Sequence, residues 1–189
     1  MKSAAQTEDT GVDLQRSGGP VDREEWLRET RDGVEYRIRP IRADALERNR
    51  ILINGLGASS RYDRMMSLLP DHAPHLLDSL VRVDYRREMT FVGIVREGQN
   101  ESIIAAARYG GNPAYCEFTV AVADEWRSRG VGTTLSEVLF SYAKSHGVRR
   151  MYGVMLARNE RMLKLADALR MSVRKSSDDN SIVEAWRTL

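Results

Sequence analysis

Cysteine occurs once in the chain, at Cys116, which excludes an internal disulfide and points to a reducing compartment. No apolar run approaches the ~20 residues that a membrane-spanning helix needs, and the N-terminus carries no long apolar stretch. These two absences predict a cytoplasmic protein with no membrane partner. An excess of one charge is also missing. The 29 basic and 27 acidic residues leave a net charge of +2, too little to make nucleic acid the main partner. Histidine is scarce. His72 and His75 stand at i, i+3 spacing without an evident third ligand, so they read as solvated residues and no metal is expected.

What remains is ordinary for a globular protein, with 42% hydrophobic and 30% charged residues over 189 positions. That length supports one α/β domain with a substantial core and a tail, and there is no internal repeat. Residues 1–20 are polar and end in the breaker Ser17-Gly18-Gly19-Pro20, which predicts a disordered segment. Asp22 and Glu25 stand at capping-box spacing and predict a short helix over "VDREEWLRET", with Trp26 and Leu27 docking on the domain. The expected division is therefore a tail over 1–33 and a folded domain over 34–189.

Within that domain Val34, Tyr36 and Ile38 alternate with charged neighbours, a strand pattern closed by Pro40. Helices are predicted over 43–54 and 73–83. "MTFVGIVRE" and "SIIAAARYG" read as paired strands joined at Gly98-Gln99-Asn100, and "AYCEFTVAVA" as a third strand. Val131, Leu135, Val138, Leu139, Tyr142 and His146 then fall on one face of a helix that Gly147 ends. "RRMYGVML" is a buried strand, Asn159 opens a helix to about 169, and "SIVEAWRTL" is a terminal strand. Hairpins followed by strands joined through helices indicate an α/β (α+β) fold, a mixed sheet with helices on both faces.

The stretch "DEWRSRGVGTTLSEVL" sets two arginines and two glycines immediately before an amphipathic helix. Glycine admits positive φ and close approach, while a helix start offers unpaired N–H groups and the positive end of its dipole. Arg127, Ser128, Arg129, Gly130, Val131 and Gly132 thus suit a pyrophosphate. The same residues also fit a tight surface turn. The three-glycine dinucleotide fingerprint and the Gly-Lys-Ser/Thr ending of a nucleotide P-loop are both absent.

Arg127-x-x-Gly130-x-Gly132, after a strand and opening a helix, resembles the acetyl-CoA-binding motif of the GNAT acetyltransferases. "MYGVML" with "ARNERMLKLADALRM" resembles the second half of that domain. "YRIRPIRADAL", "SSRYDRM", "VDYRREMTFVGIV", "AAARY" and "EFTVAVADEWRSRGVGTTL" resemble the catalytic domain of bacterial protein-lysine acetyltransferases that modify acyl-CoA synthetases. The resemblance spans roughly residues 34–187. It implies a mixed sheet splayed in the middle, with acetyl-CoA in the V-shaped opening. It also implies a pyrophosphate on the backbone of 127–132 with Thr133 nearby, the pantetheine arm along Val120, Ala121 and Val122, and a cofactor contact at Asn159.

Alternation places Phe118, Val120 and Val122 on one face of their strand and Glu117, Thr119 and Ala121 on the other. By pattern alone Glu117 is an exposed strand glutamate. The resemblance makes it the general base that deprotonates the acceptor amine. Many family members also carry a tyrosine after the helix-opening asparagine to protonate the leaving thiolate; "NERMLKLADALRM" has none, so that role stays unassigned. Cys116 reads as a small buried strand residue rather than an acetyl carrier, and His146 as packing at a helix end. Arg61, Tyr62, Asp84, Tyr85 and Arg86 read as a polar network or, by resemblance, a protein-substrate groove. Met65, Met66, Met89 and Met155 read as core or groove lining.

The expected function is acetyl-CoA-dependent acetylation of a protein lysine, with an acyl-CoA synthetase as target. Two alternatives stand beside it: a small-amine N-acetyltransferase, and a non-catalytic acyl-CoA-sensing module. Some relatives append a cyclic-nucleotide-binding domain; the first 33 residues are too short for one, so no built-in cyclic-nucleotide control is expected.

Overall fold

A computed structural model of the chain describes residues 25–42, 87–98 and 100–189. Its strands are β1 (Trp26–Glu29), β2 (Glu35–Pro40), β3 (Met89–Glu97), β4 (Asn100–Asn112), β5 (Tyr115–Val122), β6 (Arg150–Leu156), β7 (Ser172–Lys175) and β8 (Ile182–Thr188). Helix α1 (Val131–Ser145) joins β5 to β6, and α2 (Glu160–Ala168) follows β6. The eight strands form one sheet in the order β1-β2-β3-β4-β5-β6-β8-β7. Every neighbouring pair is antiparallel except β5–β6, which is parallel and uses α1 as its crossover. This is the expected mixed sheet.

Two expectations change. The short helix over "VDREEWLRET" is corrected in its described part: Trp26–Glu29 is a strand, with Trp26 facing Ile38 and Glu29 facing Glu35 in antiparallel register. Pairing satisfies the open edge of β2, and alternation sends Trp26 inward onto Phe91 while Leu27 stays exposed. The sheet therefore begins inside the segment expected to be tail. Strand β7 was also not anticipated. Its four residues, "SVRK", are all exposed and carry no apolar alternation to signal them. The helices expected over 43–54 and 73–83, the disordered 1–20, and the readings for Arg61, Tyr62, Met65, Met66, His72, His75, Asp84, Tyr85 and Arg86 lie outside the described residues.

The larger core lies where α1 crosses the sheet. Leu135, Leu139 and Ala143 of α1 are completely buried against Ile38, Phe91 and Tyr109 of the strands. Phe91 holds the centre, edge-on to Trp26 and to Tyr142 with ring centroids 5.4 Å away in each case. His146 caps α1, its ring stacked on Tyr142 and its Nδ1 2.9 Å from the Tyr142 carbonyl; Gly147 then turns the chain at φ +81°. A smaller cluster of Val92, Ile94, Ile103 and Ala106 joins Ile41 and Ala123. β3 alternates between the two clusters throughout, whereas β4 shifts phase at an irregularity opposite Gly93 and Ile94, where Ile104 is the extra residue and joins Ala105 in the larger cluster.

The decisive feature for the site is how little β5 and β6 pair. Their ladder consists of Cys116 with Met151 and Glu117 with Tyr152, after which the strands part. Phe118 packs edge-on against Phe140 of α1, with centroids 5.0 Å apart. Its ring takes the space beside Gly153, where an added Cβ would stand 3.1 Å from Phe118 Cε1. The sheet is splayed at its middle, as the sequence resemblance implied.

Replacing Phe91 with alanine removes the ring that joins β1, β3 and α1. Its expected cost is about 3–5 kcal/mol, read as a lower midpoint at unchanged slope in urea unfolding.

Candidate active site

The parted strands enclose a cleft of about 560 Å³. Residues 118–122 of β5 form one wall, Gly153, Val154 and Met155 of β6 another, and α2 contributes Arg161, Lys164 and Leu165. The segment from Trp126 to Thr133 closes one end, and Glu117 stands where the strands join.

The loop is built from its backbone. After a 3-10 turn over Asp124–Trp126, Arg127 is extended, whereas Ser128 (φ +61°) and Gly130 (φ +91°) are left-handed. Left-handed residues of this kind are a feature of anion-binding backbone nests. Gly130 is the N-cap of α1, no side chain caps that end, and its first turn holds no acid. The positive helix terminus thus faces the cleft without a protein anion. Gly132 lets the helix approach β5, since a Cβ there would lie 3.3 Å from Val122 Cγ2.

The two motif arginines diverge. Arg127 lines the cleft, donates from Nε to the Val122 carbonyl at 3.3 Å, and forms a close ion pair with Asp124. Burial draws its pKa down; Asp124 counteracts this and the nearby Arg161 charge adds to it. Arg129 is not a lining residue. Its guanidinium lies 3.2 Å from Asp32 and 5.0 Å over the Trp126 ring. Val131 is also withheld, being 1% exposed in the core. The cleft does gather Val120, Ala121, Val122, Ser128, Gly130, Gly132, Thr133 and Asn159. Asn159 is the N-cap of α2, its Oδ1 accepting from the Met162 N–H at 3.2 Å.

Glu117 is half-buried, opposite Gly110 on β4 and Tyr152 on β6. Burial raises its pKa, and the Arg108 charge pulls it partly back. Arg108 can take that position because residue 110 is glycine: a Cβ there would meet Arg108 Nη1 at 2.9 Å. Glu88 holds the same guanidinium at 2.9 Å. Tyr152 stacks on Tyr115 at 4.4 Å, and its pKa is pushed up to about 12 by burial first and then by the charge of Glu117. A carboxylate of raised affinity for protons, lining the cleft where β5 and β6 join, is equipped to accept one. Cys116 belongs to the core; its thiol donates to the Asn112 carbonyl at 3.1 Å and burial raises its pKa, so it stays protonated.

Sequence reasoning missed Arg31, Trp126, Arg161 and Lys164 among the lining residues. Arg161, Lys164, Leu165 and Ala168 form an i, i+3, i+4, i+7 stripe on α2, so that face was available to periodicity. Arg31 had no local signal, because only the fold brings it to the loop.

With this geometry in hand, the model of the Acetyltransferase (GNAT) family matches residues 59–169, more than half of the chain. The chain belongs to the GNAT acetyltransferase family. This acetyltransferase is 32% identical over 165 residues to an acetyltransferase of Pseudomonas aeruginosa, covering 86% of this chain and 89% of that relative. It is also 32% identical over 148 residues to acetyltransferase Pat of Mycolicibacterium smegmatis, covering 75% of this chain but 42% of that longer protein. The crystal structure of the GNAT domain of S. lividans PAT superposes at a TM-score of 0.76 with 23% identity, covering 87% and 97% of the two chains, a likeness of fold. A cAMP-binding acyltransferase from Mycobacterium smegmatis gives 0.59 at 25% identity over 87% of this chain and 47% of that one.

Two outcomes follow from the surroundings of Glu117. Arg108→Gln removes the charge that lowers its pKa, so the carboxyl pKa should rise further, followed by NMR titration of the glutamate side chain. Its folded pKa already lies above the unfolded value of 4.5, so its stabilising contribution is complete below that value and lost as pH rises through the folded pKa. Glu117→Gln should therefore have a higher Tm than wild type at pH 7, with the gap closing near pH 4, in thermal unfolding at the two pH values.

Proposed function

We propose that this acetyltransferase moves the acetyl group of acetyl-CoA to the ε-amine of a protein lysine, with Glu117 as general base and an acyl-CoA synthetase as target. The observation that carries the reading is the position of Glu117, at the strand joint of a cleft that is also lined by the uncapped start of α1. A donor with a phosphate-rich head and a reactive thioester tail fits that polarity. The name of the relative Pat, and the use of acetyl-CoA as donor across the family, support the same assignment.

In this reading the N–H groups at the start of α1, with Ser128, Gly130, Gly132 and Thr133, take the diphosphate. The wall of Val120, Ala121 and Val122 takes the pantetheine arm, whose amides suit a strand edge freed from β6. Asn159 fixes the start of α2 beside it. Arg129 and Val131 act through position, the first by tying the loop to Asp32 and the second by anchoring α1 in the core. Glu117 removes a proton from the acceptor ammonium, freeing the nitrogen lone pair to attack the thioester carbonyl. The C–S bond then breaks and CoA leaves as its thiolate; loss of the remaining extra proton from nitrogen gives the amide and, on the thiolate, free CoA. The raised pKa of Glu117 brings it nearer to the amine than an exposed glutamate would be. Transfer is direct, because the buried thiol of Cys116 belongs to the core.

The test is peptide mass spectrometry of an acyl-CoA synthetase incubated with enzyme and acetyl-CoA, with Glu117→Gln alongside. A shift of about 42 Da at one lysine, slowed about 10²–10⁴-fold in the variant at unchanged acetyl-CoA affinity, is expected. Full turnover by the variant would remove Glu117 from the role. Thioester consumption only with small amines would replace the protein acceptor.

A further inference from the structure

Four cations line the donor cleft: Arg31, Arg127, Arg161 and Lys164. Arg31 belongs to neither the glycine loop nor α2. It sits in the turn between β1 and β2, and that turn is docked on the loop. The Arg31 N–H donates to the Arg129 carbonyl at 3.0 Å, and Asp32 holds the Arg129 guanidinium at 3.2 Å. The turn is itself constrained. Thr30 and Val34 exchange a backbone bond and a side-chain bond, each 2.9 Å, and Gly33 is left-handed at φ +84°.

The Arg31 side chain lies across Gly130. A Cβ on Gly130 would stand 3.5 Å from Arg31 Cγ and 3.6 Å from its Nε. The motif arginines are both engaged, Arg127 with Asp124 and Arg129 with Asp32. Arg31 makes no ion pair with a carboxylate among the described residues. An arginine stem held against the N-cap of an uncapped helix, at the edge of a cleft already rich in cations, has its charge available to an anion in that cleft.

We propose that Arg31 binds the phosphates of the acyl-CoA donor, so that the β1–β2 turn is part of the donor site and Arg129 serves as its tether. The inference rests on the donor assignment above. Asp32 completes the tether: by occupying Arg129 it fixes the loop and leaves Arg31 as the guanidinium beside Gly130. Because the turn is ordered by its own hydrogen bonds, little further ordering accompanies ligand binding.

Calorimetric titration of the full chain with acetyl-CoA and with its 3′-dephospho analogue tests this, using Arg31→Met, which keeps the stem, and Arg31→Lys, which keeps the charge. Thermal unfolding of each variant verifies that the fold is retained. Arg31→Met should weaken acetyl-CoA binding about tenfold, and Arg31→Lys should recover most of that loss. An equal loss for both ligands assigns Arg31 to the diphosphate; a loss confined to acetyl-CoA assigns it to the 3′-phosphate. Either supports the proposal. If Arg31→Met binds both ligands within twofold of wild type, Arg31 is not a phosphate ligand although the donor assignment stands. Absence of binding by the wild-type chain would overturn both.

Discussion

Among the described residues, the ladder between β5 and β6, at the middle of this sheet, is only two residue pairs long. Backbone N–H and C=O groups buried without partners are costly, so neighbouring strands ordinarily stay paired for their length. Here β5 is paired on its β4 side over eight positions and β6 on its β8 side over seven. Only the edges that face each other part. Gly153 and Phe118 stand where they do so, the ring occupying the space beside the glycine. Cleft, loop and Glu117 all take their places from that separation: one strand carries Glu117 at the joint, and the far end of the same strand feeds the glycine loop.

The loop illustrates how one short motif can hold residues of opposite purpose. Arg127 and Arg129 are two positions apart, yet one lines the cleft and the other is bound to Asp32 and Trp126. Left-handed backbone at Ser128 and Gly130 produces that divergence. Trp126 packs against both apolar clusters, so the turn that launches the loop is anchored on each side of the splayed sheet. Charge at the cleft is correspondingly uneven, basic toward the loop and α2 and acidic at the joint where Glu117 stands.

Much of this was legible in the sequence, for identifiable reasons. Strands β3, β4, β5, β6 and β8 carry long apolar runs or alternation, and α1 carries a buried stripe from Val131 to Tyr142. Glycine and arginine ahead of that stripe marked the loop, because a helix start and a reversible backbone are local properties. Non-local properties were not legible. Trp26–Glu29 follows the capping-box spacing of Asp22 and Glu25 and is nevertheless a strand, because β2 offers it an edge. Arg129 looks like Arg127 until Asp32 arrives from another hairpin. The surroundings of Glu117 depend on burial in the fold and on the charge of Arg108 from the neighbouring strand β4, a pairing with no trace in either strand alone.

The outer borders of the sheet complete this picture. Strands β1 and β7 have four residues each, and β7 reads "SVRK", with Arg174 paired to Glu184 at 2.9 Å and set over Trp186. Short, charged border strands are poor templates for another chain, which restrains edge-to-edge polymerisation of an open sheet. The edges released between β5 and β6 line the cleft instead, beside α2. Among the described residues, the protein thus blunts the borders through which it might aggregate and keeps its adhesive backbone for an occupant of molecular size.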